Sequence, residues 1–308
     1  MNGVVNIYKE KGYTSHDVTA IVRGIMRADK IGHTGTLDPD ATGVLPVCLG
    51  KATKAAELIM GCDKEYIAEF AFGTETDTQD ASGTVTARTD YVFDEEAARA
   101  AILSFQGGYD QLPPMYSAVK MGGVKLYELA REGIEVERKS RFAAIPEIEI
   151  LALSPEGGRI RVACAKGTYI RTLCEDIGRR TGYLAHMTAL ERTASGPYRK
   201  DTALTLDELR AKVAAGDYSF FVSLDSLFAY APRKIVPPED DIYLKNGNPL
   251  TYPDETLPRE TGARVRLYLS DGTFAGLYKV TELLPEAADE EGKPLPAAVR
   301  MKAEKMFV

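Results

Sequence analysis

The sequence predicts an α+β protein: a mixed, mainly antiparallel sheet with flanking helices, followed by a small β-rich domain. Three observations carry this expectation. Short β-like runs and amphipathic helical stretches are interspersed without the strict strand–helix–strand rhythm of a parallel sheet. Residues 148–153 and 159–165 flank the turn PEGG, the pattern of a hairpin. Near Tyr230 the character changes, with three prolines in the eleven residues APRKIVPPEDD, and short strands follow. The expected division is therefore residues 1–230 and 231–308.

In chain order, residues 4–8 form a first strand. Ser15 is the expected N-cap of a helix, with Asp17 in its first turn and Val18, Ile21, Val22, Ile25 and Met26 along one face. A glycine-rich loop follows. Residues 66–72 form a strand, separated by the turn-rich GTETDTQDASG from a second at 84–88. Asp94 caps a helix running to about Phe105, with Glu95 and Glu96 suited to its positive end. Pro113 and Pro114 lead into a helix over 124–131, stopped by Gly133. After the hairpin, Ile170, Leu173, Cys174 and Ile177 share one face of a helix that ends before Gly182. Beyond the proline-rich linker, Val265, Leu267 and Leu269 alternate into a turn at Asp271-Gly272, and residues 298–307 form a last strand.

Composition narrows the function. The 308 residues are 44% apolar, enough for a core, and hold no apolar run long enough for a membrane helix. The opening MNGVVNIYKEKGYTS has no signal-peptide pattern. Four cysteines without C-x-x-C spacing, and only three histidines, argue against a zinc site and fit a reducing cytoplasm. The net charge of −7 repels RNA globally, so an RNA partner requires a local patch. Between Gly157 and Lys200 nine Arg and Lys face three Glu and Asp, which is such a segregation or simply a solvated face. Phosphate-loop, G-x-S-x-G and H-E-x-x-H patterns are missing, and Asp77, Asp80 and Gly83 lack EF-hand spacing and read as a polar turn.

The loop from Lys30 to Lys54, KIGHTGTLDPDATGVLPVCLGKATK, is the most informative stretch. Its glycines allow a ligand close to the backbone, and Pro39 keeps Asp38 out of the helical region. Alone, such a carboxylate is an Asx-turn or helix cap as readily as a catalytic group. Its neighbours in the sequence add to it. GHTGTLDPDATGVLPVCLGKATK (32–54), KEYIAEFAFGTETDTQDASG (64–83), QLPPMYSAVKMGGVKLYELAREG (111–133), KGTYIRTLCEDIG (166–178) and ALERTASGPY (189–198) occur in that order.

These five collinear blocks resemble the TruB family of tRNA pseudouridine synthases. The resemblance implies a pseudouridine synthase fold, a C-terminal PUA-like RNA-binding domain, and conversion of uridine 55 in the tRNA T-loop. It places the nucleophilic carboxylate at Asp38, the active-site tyrosine at Tyr66, the arginine opposing the carboxylate at Arg171 and a pocket leucine at Leu190. It also gives His33 a part in opening the loop around a flipped base, and makes Lys9, Lys30 and Lys166 candidates for phosphate contacts. The expected enzyme is a cytoplasmic monomer acting on the T-arm of tRNA, with no cofactor, metal, membrane or guide RNA. Lys9-Glu10-Lys11-Gly12 departs from the family's usual lysine-proline-x-glycine, which bears on the rigidity of that turn. The alternatives are an RNA chaperone with isomerisation secondary, a guide-dependent synthase, and a phosphate-binding metabolic enzyme.

Overall fold

The computed structural model describes residues 1–117, 119–288 and 294–308; Ala118, inside the block 111–133, lies outside them. The chain opens with strand β1 (Gly3–Lys9), buried along most of its length. Helix α1 (Ser15–Met26) follows, and its N-cap is Thr14, not Ser15. Thr14 and Asp17 form a reciprocal capping box, because Asp17 stands three residues after Thr14 and can reach back to its N–H. That leaves the Ser15 hydroxyl free for a different task in the site.

Strands β2 (Ile31–His33) and β3 (Thr42–Leu49) bracket the glycine-rich loop and pair antiparallel. Helix α2 (Ala56–Met60) leads to strand β4 (Lys64–Phe72). A short ladder of β5 (Thr74–Thr76) and β6 (Val85–Arg88) closes the polar turn. Helix α3 (Glu95–Leu103) is capped by Asp94 as expected. Small strands β7 (Tyr109–Gln111), β8 (Lys120–Met121) and β9 (Val124–Lys125) precede helix α4 (Leu126–Arg131), and β10 (Arg141–Ala143) returns to pair with β7. The hairpin is β11 (Glu147–Ser154) with β12 (Gly157–Cys164). Helix α5 (Ile170–Thr181) ends on the left-handed Gly182. Strands β13 (Ala185–Ser195) and β14 (Tyr198–Arg199), helix α6 (Leu206–Ala214) and strand β15 (Val222–Ser223) complete this part.

Its sheet runs β11-β12-β4-β13-β3-β1-β15, antiparallel except for the parallel pair β13–β3. Two close approaches set this geometry. Gly43 has φ +110°, and a Cβ there would meet the Arg192 carbonyl at 2.2 Å, so β3 lies against β13 only with glycine. A Cβ on Gly178 would meet the Ala185 N at 2.2 Å, which seats α5 directly on the start of β13. One apolar core joins Phe70, Ile160, Leu173 and Ile177 with Ile102 of α3. A second joins Val18 and Val22 of α1 with Val47 and Leu209.

The remaining strands form a five-stranded sheet: β16 (Arg233–Ile235), then β17 (Leu250–Tyr252) after helix α7 (Asp241–Lys245), β18 (Arg264–Tyr268), β19 (Phe274–Leu284) and, past the small ladder β20 (Ala287–Ala288) and β21 (Pro294–Leu295), β22 (Ala298–Met306). The proline-rich segment expected as a linker is part of this sheet. Ala231 and Val236 are buried, and β16 pairs parallel with β18, because the prolines fall at the ends of the strand where no ladder hydrogen bond is lost. Leu277 and Phe307 pack with Val4, Val44 and Phe228, so the two sheets share an apolar contact.

Candidate active site

The loop carrying Asp38 is held from both sides. The Ser15 hydroxyl, freed from capping, accepts from the Leu37 N–H at 2.9 Å and lies 3.2 Å from the Leu37 carbonyl. From β1, the Lys9 ammonium donates to the carbonyls of Ala41 (2.6 Å), Pro39 (2.9 Å) and Glu10 (3.1 Å). Lys9 is wholly buried, and burial pushes its amine down to about 8, against the opposing pull of Asp38 and Asp40. This corrects the expectation that Lys9 contacts phosphate: its three donors are spent on carbonyls, two in the loop and one on Glu10. It also answers the missing proline, since the carbonyl of Glu10 is pinned by the ammonium of Lys9.

Opposite this loop, α5 presents Arg171, 8% exposed. Its Nε lies 3.1 Å from Asp38 Oδ2 and 3.8 Å from Asp80 Oδ2. Its outer nitrogens donate to the carbonyls of Thr78 (3.0 Å) and Tyr116 (2.9 Å). Four partners thus fix the guanidinium plane. Asp80 was legible only as a polar turn. Its Oδ1 takes the Thr78 hydroxyl and the Ser82 N–H and hydroxyl, so the turn aims Oδ2 at Arg171.

Asp38, Asp80 and Arg171 line a cavity of about 500 Å³ together with Tyr116, Met187, Thr188, Ala189 and Leu190. Leu190, expected from the resemblance as a pocket leucine, is one of these lining residues. A bulge in β13 between Met187 and Ala189 interrupts the alternation and brings four consecutive residues to the wall. Lys11 and Arg131 stand at the same cavity, and neither was singled out from the sequence for this role.

The other expected residues lie farther out. Tyr66 on β4 sits between Val162 and Arg192 in register and packs on the main core. Burial pushes its phenol upward, partly offset by Arg192, so it is a neutral hydroxyl near pH 7. It is not among the residues lining the cavity; the ring on that wall is Tyr116. His33 on β2 accepts from the Gly35 N–H through Nδ1 at 3.4 Å, and burial with the charge of Arg192 pushes its imidazole down. Lys30 and Lys166 are exposed and outside the cavity wall.

The cationic stretch 157–200 is divided: Lys166, Arg180 and Arg199 are exposed, but much of its charge is spent inside the fold. Arg192 is 1% exposed and donates to the carbonyls of Val44 (2.7 Å) and Gly35 (3.2 Å), bracing the glycine-rich loop. Arg161 is paired with Glu65, Glu147 and Glu149, Arg159 with Glu69, and Lys200 with Glu191. Apart from Glu191, those acids lie outside the stretch, on the neighbouring strands β4 and β11, which a linear charge count does not bring together. Among the described residues, no group of three His, Cys, Asp or Glu is placed to hold a metal ion.

The site is thus a carboxylate on a stiff loop, faced by a fixed guanidinium in a cavity of about 500 Å³. Comparison with known proteins identifies the family. Residues 23–170 match the TruB family pseudouridylate synthase N-terminal domain, and 171–238 match the tRNA pseudouridylate synthase B C-terminal domain. A tRNA pseudouridine synthase B of Alkaliphilus oremlandii is 43% identical over 271 residues, covering 87% of this chain and 90% of its own.

The chain belongs to the TruB family.

A second TruB relative, the tRNA pseudouridine synthase B of Bacillus subtilis (strain 168), is 38% identical over 310 residues and 98% of each chain. Among solved structures, a chain of a Cbf5-Nop10-Gar1 complex aligns with TM-score 0.69 and 26% identity, over 99% of this chain and 85% of its own. The protein is accordingly an isomerase that makes pseudouridine in tRNA. No helix among the described residues is long and apolar enough to cross a membrane.

Proposed function

We infer that the protein converts uridine 55 of the tRNA T-loop to pseudouridine, with Asp38 as the reacting carboxylate. The observation that carries this is the Asp38–Arg171 pair, 3.1 Å apart in the cavity that Leu190 lines. The reaction breaks the C1′–N1 bond and forms C1′–C5; the C5 proton is lost and N1 gains one, so no oxidant or nucleotide is consumed. Asp38 serves attack on C1′, addition at C6 or glycal formation alike, because each needs one ionised carboxylate beside the sugar. Arg171 holds that charge in place. The target base must leave the T-loop stack to reach the cavity, at a few kcal/mol. His33, on the short strand before the Asp38 loop, supports the opened loop, and Tyr66, the tyrosine of the family motif, is assigned to stacking on the target base although it stands behind the cavity wall.

RNA is positioned by cations around the site, Lys30 and Lys166 among them, and by the C-terminal domain from about residue 231, read as PUA-like. The enzyme acts in the cytoplasm as a monomer on the T-arm, without a guide RNA. Purified protein incubated with an unmodified tRNA transcript, without metal, guide or nucleotide, tests this. Mapping pseudouridine by an adduct that stops reverse transcription should give one stop, at position 55. A stop elsewhere, or dependence on an added guide RNA, overturns the assignment.

A further inference from the structure

Helix α5 grips three consecutive residues of the polar turn. Arg171 takes the Thr78 carbonyl and faces Asp80, as described. Between them, the amide of Gln79 is engaged through both its oxygen and its nitrogen: the oxygen accepts from the Thr172 hydroxyl at 2.8 Å, and the nitrogen donates to Glu175 Oε2. Gln79 has φ +64°, a left-handed conformation uncommon for a side chain of this size. Its carbonyl accepts from the Met187 N–H (3.0 Å) on the cavity wall. Two half-buried side-chain hydrogen bonds to α5 therefore add to the turn's own Gln79 N–H to Thr76 carbonyl bond (3.1 Å) in keeping this left-handed residue in place.

We propose that Gln79 and Glu175 are a positioning pair that sets the Asp80 turn against Arg171, and through it the guanidinium opposite Asp38. The proposal rests on the reading of Asp38 and Arg171 as the reacting site. Glu175 is 5% exposed and faces Arg179 (3.3 Å) from its own helix, Glu75 from β5, Gln79 from the turn and the adjacent Asp176. Burial pushes its carboxyl up to about 7. The ionised form accepts from Gln79 and Arg179 together, so it is the competent state of the pair.

The sign for stability is opposite. A raised folded value means that Glu175 favours the fold below its ordinary 4.5, and that this contribution is lost as pH rises through about 7. Rate and stability should thus move in opposite directions with pH, which a purely structural contact would not produce.

The test follows total pseudouridine formed in an unmodified tRNA transcript under single turnover, whatever its position. Gln79→Glu, which sets two carboxylates together, should slow the rate at least tenfold with tRNA affinity within twofold. Adding Glu175→Gln to it exchanges donor and acceptor and should restore the rate to within threefold of wild type. Glu175→Gln alone should gain on wild type as pH falls from 8 to 5.5. A Gln79→Glu rate equal to wild type, or a double variant as slow as Gln79→Glu, overturns the pairing. If Gln79→Glu does not fold, the Glu175→Gln comparison decides, and a ratio to wild type independent of pH overturns it. Pseudouridine at a position other than 55 would sink the proposed target while leaving this test intact.

Discussion

Arg171 faces two carboxylates carried by loops built in different ways. The Asp38 loop is fixed through its backbone, by Lys9, Ser15 and Pro39, and its carboxylate is left 41% exposed with Arg171 as its hydrogen-bonding cation. The Asp80 turn is fixed through the carboxylate itself, which is 18% exposed and takes three hydrogen bonds from Thr78 and Ser82 on one oxygen. Anchoring a loop by its backbone leaves the side chain free to react; anchoring it by its side chain uses that group up. The difference fits the proposed division, with chemistry at Asp38 and charge placement at Asp80.

Substitution of each acid by its amide is the sharpest way to break that division. Asp38→Asn should abolish turnover while tRNA binding stays within about 1 kcal/mol of wild type. Asp80→Asn keeps the shape of the turn and loses one counter-charge, so single-turnover rate should fall only about 10- to 100-fold. Equal losses in the two variants, or even a tenth of the normal rate in Asp38→Asn, would make the two loops equivalent and remove Asp38 from the reacting role.

The cation between them comes next. Arg171→Lys keeps a charge but cannot hold the Thr78 and Tyr116 carbonyls while meeting two carboxylates, because an ammonium has no planar fork. Activity should drop at least about 100-fold, with the fold intact by circular dichroism. Near-normal turnover would mean that proximity of charge, not orientation, is all that the two loops require.

What could be seen in the sequence follows the same division between backbone and side chain. The helix α5 was legible from its apolar face, and the hairpin β11–β12 from two β-like runs around the turn PEGG, despite one bulge after Ile150 in β11. Strand β13, central to the site, was not drawn as a strand: its two bulges, after Met187 and after Arg192, break the alternation that marks one. Asp38, Arg171 and Leu190 were placed by family motif rather than by pattern. Lys9 and Arg192 were misjudged as surface cations for one reason. Their partners are carbonyls of Pro39, Ala41, Gly35 and Val44, about 30 and 150 residues away, and only the fold brings those oxygens together.

Lys9 tests how much the backbone anchoring of the Asp38 loop matters. Lys9→Met fills the space and strands three carbonyls, two of them in the loop. Unfolding in urea should show a loss of about 2–4 kcal/mol, the range for breaking a buried charged network. A loss below about 1 kcal/mol would show that water replaces the ammonium, and that Ser15 and Pro39 suffice to hold the loop.

The smallest expected effect separates the cavity rim from the outlying cations. Lys11 lines the cavity on the Asp38 side, is 71% exposed, and reaches only Asp40, at 3.8 Å. So loose a surface pair has little hold on the ammonium, which leaves it available to a phosphate next to a nucleotide in the cavity. Lys166 is also exposed to solvent but stands off the cavity wall. Lys11→Ala should therefore raise KM for tRNA about three- to fivefold, leave kcat unchanged, and reduce the slope of log affinity against log salt by about 1. Lys166→Ala should change KM less than Lys11→Ala at the same ionic strength. The reverse order would place the RNA backbone across the β12–α5 corner rather than over the Asp38 loop, and a fall in kcat for Lys11→Ala would show that the rim and the carboxylate proposed to react are coupled.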